Sequence, residues 1–591
     1  MTSDRTLLLG VERSVTGRRW ERRAGDERTA LALAQRHGLL DAVAAAMAAR
    51  GIDLDSAELF LNPSLREQLP DPLHLRDMDR AVARLVRAVE GGETIAVFGD
   101  YDVDGATSAA LLRRFFEAVG ARIRVYVPDR MTEGYGPNLP ALLRLQGEGA
   151  GVVVTVDCGI TAFDALDGAA AAGLDVVVVD HHVAEPRLPR AVAVVNPNRL
   201  DDPSPLGHVA AVGVAFLLVV ALNRALREAG WYRVSGRREP DLLQWLDLVA
   251  LGTVCDVVPL TGLNRAFVTQ GLRIMARRGN IGLCALGDVA RLDRPPEAYH
   301  AGFLLGPRVN AGGRVGEAAL GAELLAIADT ARAREIAERL DAYNAERRAI
   351  EAACLEQAME QVEGAGGDGL VFVAADGWHP GVIGIVAGRL KDRYNRPACV
   401  VARSEGIGKG SGRSVPGIDL GAAVVAARQA GLLVNGGGHP MAAGFTLDCG
   451  REAALRDFLA DRIAGQIGPG GIVPRLGIDA AVQPAGATPE LTQMLARLGP
   501  FGAGNPEPRF ALPATRIVRA DIVGGAHVRC ILAGEGGGRL KGIAFRAVDT
   551  PLGDTLLGAH GMPLHLAGHL RLDSWQGRDE VQLTIEDAAR V

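Results

Sequence analysis

Three carboxylates stand two residues apart in GDYDVDG at 99–105: Asp100, Asp102 and Asp104. Carboxylates this close repel one another unless a cation neutralises them, and hard divalent ions take oxygen ligands. An Asp-rich turn or helix cap accounts for one such residue but not for three. Two more segments repeat the theme. VVVTVDCG presents Asp157, and LDVVVVDHH presents Asp180, His181 and His182. Carboxylate and imidazole together suit Mn2+ or a similar ion better than calcium. Asp256, in LVALGTVCDVVPL after an apolar, helical stretch, is a fourth candidate. Together these residues can hold two metals about 3.5–4 Å apart, an arrangement that neutralises phosphoryl oxygens and lowers the pKa of water. The matching reaction is phosphodiester hydrolysis, with His181, His182, Asp104 and Asp157 as the expected catalytic residues. The two histidines divide between ligand and phosphate contact or proton donor, and the spacing leaves open which does which.

Such side chains must be brought together by the fold. TIAVF (94–98), RIRVYVP (122–128), GVVVTVD (151–157), LDVVVVD (174–180) and AVAVVNP (191–197) are strand-length apolar runs with helical or loop segments between them. The pattern predicts an α/β fold built on a doubly wound parallel sheet. The acidic clusters then sit at the carboxyl ends of strands, where open α/β sheets bind ligands. From 208 to about 290 the pattern is mostly helical. The reading gives an N-terminal helical region over 1–75, a catalytic domain over 76–325 and a long connecting helix over 326–365. A smaller α/β domain follows over 366–467. The short alternating strands of 472–591 predict a small β-barrel such as an OB fold.

At 591 residues the chain is too long for a single core. The net charge of −6 means that any nucleic-acid contact must use a local basic surface. The segment 509–546 supplies one, with seven basic residues against two acids. Phe501, Phe510, Phe545 and Trp575 are the sparse candidates for stacking on bases. Seven scattered cysteines without a CxxC pair argue against a zinc ribbon or disulfide framework and fit a cytoplasmic location. The four-residue apolar run near the start is too short for a signal sequence, and no stretch approaches the length of a membrane span.

Polar candidates for the substrate lie elsewhere. Arg130, Tyr135 and Asn138 fall in the loop PDRMTEGYGPN, where an arginine can grip a phosphate with two N–H groups. GPRVNAGGR sets Arg308, Asn310 and Arg314 in a glycine-rich segment that backbone and ligand can approach closely. GKGSGRS is expected to be a flexible loop carrying Ser411, Arg413 and Ser414, and NGGGHP places His439 beyond three glycines. Glycine-rich loops with exposed N–H groups cradle phosphates, although the Walker A pattern is absent.

In order, GDYDVDG, VDCG, DHH and GTVCDVVPL resemble the motifs of the DHH phosphoesterase superfamily. FLNPSLREQLPDPLHLRDMDRA, YVPDRMTEGYGPN, GPRVNAGGR, GWHPGVIGIVAGRL, GGGHPMAAGF and GPFGAGNPEPRF narrow the resemblance to its RecJ-type exonucleases, over about residues 55–590. The resemblance implies metal ligands at Asp102, Asp104, Asp157, His181 and Asp256, with Asp100 and His182 nearby, and either Mn2+ or Mg2+ as the pair of ions. Many relatives carry a His where this chain has Phe98, so that position is not expected to supply a ligand. The 366–467 unit corresponds to the DHH-associated substrate-binding domain. The implied activity is 5′→3′ release of mononucleotides from single-stranded DNA, in repair and recombination. The implied partners are single-strand-binding protein and a RecQ-type helicase. The rival readings are a DHH phosphodiesterase acting on short RNA or cyclic dinucleotides, and a non-catalytic DNA-binding scaffold.

Overall fold

A computed structural model describes residues 6–130, 132–365, 369–468, 471–573 and 580–591. Residue 366, the predicted start of the second α/β domain, and the candidate Trp575 lie outside these. The chain forms two units, one of Leu65–Ile472 and one of Met1–Ser64 with Val473–Val591.

In the larger unit, five parallel strands run in the order Arg122–Tyr126, Thr94–Gly99, Ala150–Val156, Asp175–Val179, Ala193–Val195. Successive side chains of a strand point to opposite faces. Ile95, Val97, Val152 and Val154 accordingly enter one core, while Ala96, Phe98, Val153 and Val178 enter another. Both faces are covered, as the continuous apolar runs require. Strand order reverses at Thr94–Gly99, the second strand lying on one side of it and the third on the other. Phe98 is fully buried, its ring 5.3 Å from that of Tyr126. Helices Val103–Val119, Ala211–Glu228 and Leu246–Cys255 pack together beside the sheet. The long helix Thr330–Ala365 has 36 residues, about 54 Å.

After that helix comes a second, mixed sheet. Val371–Asp376 pairs in parallel with Ala398–Ser404, and Ile407–Arg413, Ala442–Asp448 and Asn435–His439 continue it antiparallel. Two expected loops are therefore strands. GKGSGR alternates, with Gly408, Gly410 and Gly412 buried while Lys409, Ser411 and Arg413 lie on the other face. A Cβ at Gly410 would stand 2.0 Å from the Phe445 ring. The glycines are thus the inner face of a strand pressed against bulky neighbours. GPRVNAGGR is also more regular than expected, forming the helix Gly306–Val315 with its proline in the first turn.

The smaller unit contains a closed five-stranded barrel. Around it run Phe510–Val523, His527–Ala533, Arg539–Ala544, Glu580–Arg590 and Pro563–Asp573, which returns to pair with the first. The N-terminal stretch, expected as a region of its own over 1–75, belongs to this unit as far as Ser64. Its strand Arg19–Arg22 pairs with Arg475–Ile478. Leu33, Val43, Met47 and Phe60 share one core with barrel residues Leu512 and Leu566. Helices of 8–11 residues are marginal alone and need such a surface to bury their apolar side.

Candidate metal centre and adjoining cavity

The acidic residues converge where the parallel strands end. Asp100 and Asp102 follow Thr94–Gly99, Asp157 follows Ala150–Val156, His181 and His182 follow Asp175–Val179, and Asp256 ends helix Leu246–Cys255. Three sets of ligand atoms each lie within 4.8 Å of one another: Asp104, His181 and Asp256; Asp157, His181 and His182; Asp100, Asp102 and Asp157. Asp157 and His181 are each shared by two sets, so the sets form one centre. His181 Nε2 is 3.3 Å from Asp157, 3.6 Å from Asp256 and 3.9 Å from Asp104.

Local structure explains the placements. Asp102 caps helix Val103–Val119, its Oδ1 accepting hydrogen bonds from the Asp104 and Gly105 N–H groups. Asp104 accepts from the Ala211 and Val212 N–H groups at 2.7 and 2.9 Å, which places its charge at the N-terminus of Ala211–Glu228. Asp157 adopts φ +60° and Val257, beside Asp256, φ +62°. The left-handed region is a strained one for a β-branched residue, and such strain gathers at functional sites.

Asp180 plays a different part. Its carboxylate accepts from the Ile160, His181 and His182 N–H groups and from His182 Nδ1 at 2.8 Å. A carboxylate only accepts, so Nδ1 carries the proton and Nε2 is the other, available ring nitrogen. Asn196 and Asn198 donate to the His182 and His181 carbonyls. The sequence reading missed both asparagines. The only trace of them is NPN directly after a strand, where turn-forming residues can bond neighbouring backbone.

Charge in this centre is unbalanced. Burial, then the neighbouring Asp102, pushes Asp100 up to about 8 and Asp256 up to about 7. Asp104 and Asp157 lie well above the usual carboxylate range for the same two kinds of cause. Burial, then the charge of His182, lowers His181 to about 4, so it is neutral and able to donate a lone pair. Burial also opposes charging of His182, but the Asp180 hydrogen bond and charge outweigh it and leave this group raised. Asp100 Oδ1, Asp256 Oδ2 and His181 Nε2 are buried without a hydrogen-bond partner among the described residues. Buried polar atoms are normally satisfied. Orphaned oxygen and imidazole donors facing an excess of carboxylate fit divalent cations.

Beside the centre is a cavity of about 500 Å³, lined by Arg130, Tyr135, Arg314, Lys409, Ser411 and Arg413 together with Gly381, Gly436 and Gly437. Its charges are all positive, and none of its described lining residues is a carboxylate. The Arg130 guanidinium lies 5.1 Å from the centroid of the Tyr101 ring. Arg314 donates to the Gly381 carbonyl, and Arg413 to Ser411 Oγ. Burial, then repulsion from Arg130, pushes Arg314 down to about 10 and lowers Arg413 as well. Tyr135 joins the two regions: it lines the cavity and its hydroxyl donates to the Asp157 carbonyl at 3.1 Å.

Five residues named from the sequence are placed otherwise. Asn138 caps helix Leu139–Gly147 and bonds Glu133. Arg308 pairs with Asp341 at 2.8 Å. Ser414 is buried and donates to the Ile418 carbonyl at 2.8 Å. His439 is exposed at the end of the Asn435–His439 edge strand. Asn310 is half-buried on helix Gly306–Val315. Lys409 and Tyr101 are the additions made by the structure, and Asp180 moves from candidate ligand to partner of His182.

Three family models match the chain: the DHH family N-terminal domain at 94–253, the DHHA1 domain at 366–465 and the RecJ OB domain at 478–587. The single-stranded-DNA-specific exonuclease RecJ of Dickeya dadantii is 39% identical over 545 residues, 89% of this chain and 92% of the relative. That of Escherichia coli is 36% identical, again over 89% of this chain and 92% of the relative. Among solved structures, RecJ of Thermus thermophilus in complex with Mn2+ matches with a TM-score of 0.80 at 29% identity, over 97% of this chain and 79% of the other.

Proposed function

Since this chain belongs to the RecJ family of single-stranded-DNA-specific exonucleases, we propose that it hydrolyses phosphodiester bonds of single-stranded DNA from the 5′ end, releasing mononucleotides. One observation carries the reading: a centre with excess negative charge adjoins a cavity with excess positive charge, and Tyr135 touches both. A phosphodiester chain fits such a pair, one phosphate in the cavity and the next at the centre.

Asp100, Asp102, Asp104, Asp157, His181 and Asp256 would hold two divalent metal ions, Mn2+ or Mg2+. When bound, such ions neutralise charge on the phosphoryl oxygens and lower the pKa of water. Arg130, Arg314 and Arg413 bind the neighbouring phosphate, with Ser411 and Lys409 completing the contacts. His182, kept in its charged form by Asp180, carries a proton on Nε2 as well as on Nδ1. It gives the Nε2 proton to the leaving oxygen as water oxygen bonds to phosphorus, the water's proton passes to solvent and the P–O bond breaks. The 5′→3′ polarity, the role in DNA repair and recombination, and the partners, single-strand-binding protein and a RecQ-type helicase, rest on family membership. The test is digestion of 5′-labelled and 3′-labelled strands with Mn2+, Mg2+ or chelator. Labelled mononucleotide should appear at once from the 5′-labelled strand, with metal only. Binding of DNA without any release would favour the scaffold reading.

A further inference from the structure

Aromatic residues make up only 4% of the chain, yet two large rings stand exposed together: Tyr299 at 64% and Phe303 at 73%. They stack on each other with ring centroids 5.3 Å apart and planes inclined by 25°. Single exposed apolar residues are ordinary, but a stacked pair of this kind is not. Their support explains why they face outward. Ala298, Ala301 and Leu305 of the same turns are buried and anchor the segment. Ala301–Leu305 forms one turn of π-helix, a rarity that recurs at functional sites.

This platform is tied to the metal centre. Cys255 Sγ donates to the Ala301 carbonyl, and Cys255 is the last residue of the helix that ends at Asp256. A Cβ at Gly306 would stand 2.4 Å from Cys255 Sγ, so glycine there allows the close approach. Aromatic rings bind successive bases of a single strand without regard to sequence, because every base has a π face.

We propose that Phe303, stacked on Tyr299, is a stacking platform for a nucleobase of the single strand, downstream of the phosphate being cleaved. The proposal rests on the function proposed above and adds a positioning site that reads bases, where the arginine cavity reads phosphates. The test compares wild type, Phe303→Leu and Phe303→Trp on a normal strand and on a strand of equal length whose sugars carry no bases. Phe303→Leu should raise KM on the normal strand on the order of tenfold, with little change in kcat. Phe303→Trp should keep KM near wild type. On the base-free strand the three proteins should have the same KM. An unchanged KM for Phe303→Leu, or an equal rise on both strands, overturns the platform. A wild-type protein that releases nothing from either strand overturns the nuclease reading instead. Since Phe303 is exposed, melting temperatures of all three should agree, and a collapse for Phe303→Leu would assign the ring a structural role in place of this one.

Discussion

The metal centre and the arginine cavity are both crowded with like charge, but they are built in opposite ways. Carboxylates of the centre are fixed by backbone: Asp102 and Asp104 each accept two N–H groups at helix starts. Arginines of the cavity are held loosely, Arg314 and Arg413 by carbonyl and hydroxyl contacts, with no carboxylate among the described lining residues. Rigid donors at fixed separation suit ions that stay, since metal sites depend on oriented ligands. Unpaired guanidinium groups suit an anion that arrives and leaves. Arg308, by contrast, is already neutralised by Asp341 and is thereby removed from that task.

The largest effect should follow from breaking the rigid side. Asp104→Asn keeps one acceptor oxygen where the Ala211 and Val212 N–H groups now bond to separate carboxylate oxygens, and loses the charge. Nucleotide release from labelled single strands should fall about a thousandfold. Strand binding, read by fluorescence anisotropy, should change little. Comparable losses in both would erase the distinction between the two regions. Arg413→Ala tests the other side. A charge-assisted contact to phosphate lost there should raise KM about tenfold while kcat moves less. Its melting temperature should hold or rise, because the variant relieves repulsion from Arg130.

Metal removal should separate the regions further. Raised carboxyl groups bind more protons in the folded than in the unfolded chain, so stability falls as pH rises from about 4 to about 8. Chelator-treated protein should therefore melt several degrees lower at pH 8 than at pH 6, and Mn2+ should restore most of the loss at pH 8. A melting temperature independent of both pH and Mn2+ would mean that the carboxylates are not under strain without ions. The arginines contribute nothing to this profile, since they stay charged throughout.

Legibility differed between the same two regions. Asp100, Asp102, Asp157, His181 and Asp256 could be read because polar residues directly after apolar runs mark strand and helix ends, and parallel strands bring those ends together. The cavity was only half legible. Arg130, Arg314 and Arg413 stood out, but glycine is a poor strand former, so GKGSGR looked like a loop. Its period-two alternation was the overlooked signal. Lys409 became visible only when that strand placed it beside Ser411 and Arg413. Asp180 looked like another ligand, and only the hydrogen bond to His182 shows that it orients an imidazole. The grouping of Arg19–Arg22 with Arg475–Ile478 joins residues more than 450 positions apart, which no local pattern encodes.

The barrel offers the smallest effect and a last contrast with the cavity. Arg516, Arg519, Arg529, Arg539 and Lys541 are all exposed on strands Phe510–Val523, His527–Ala533 and Arg539–Ala544. Register places Arg539 opposite Ala533, which in turn faces Arg516, so these charges form a band across adjacent strands. Arg519 and Arg529 both pair with Asp521, and Lys541 with Glu580, whereas Arg539 makes no ion pair among the described residues. Exposed charges are screened by salt, and those already paired have less to offer a phosphate. In the Asp104→Asn background, which leaves the strand intact, Arg539→Ala should therefore weaken strand binding only about twofold to threefold near physiological salt. It should make the slope of log Kd against log salt shallower by about 0.7, one phosphate contact on a single strand. Arg529→Ala should change that slope less, because Asp521 already holds its charge. If Arg529→Ala proved the more damaging, the band would be organised by the Asp521 cluster and not by the unpaired arginines.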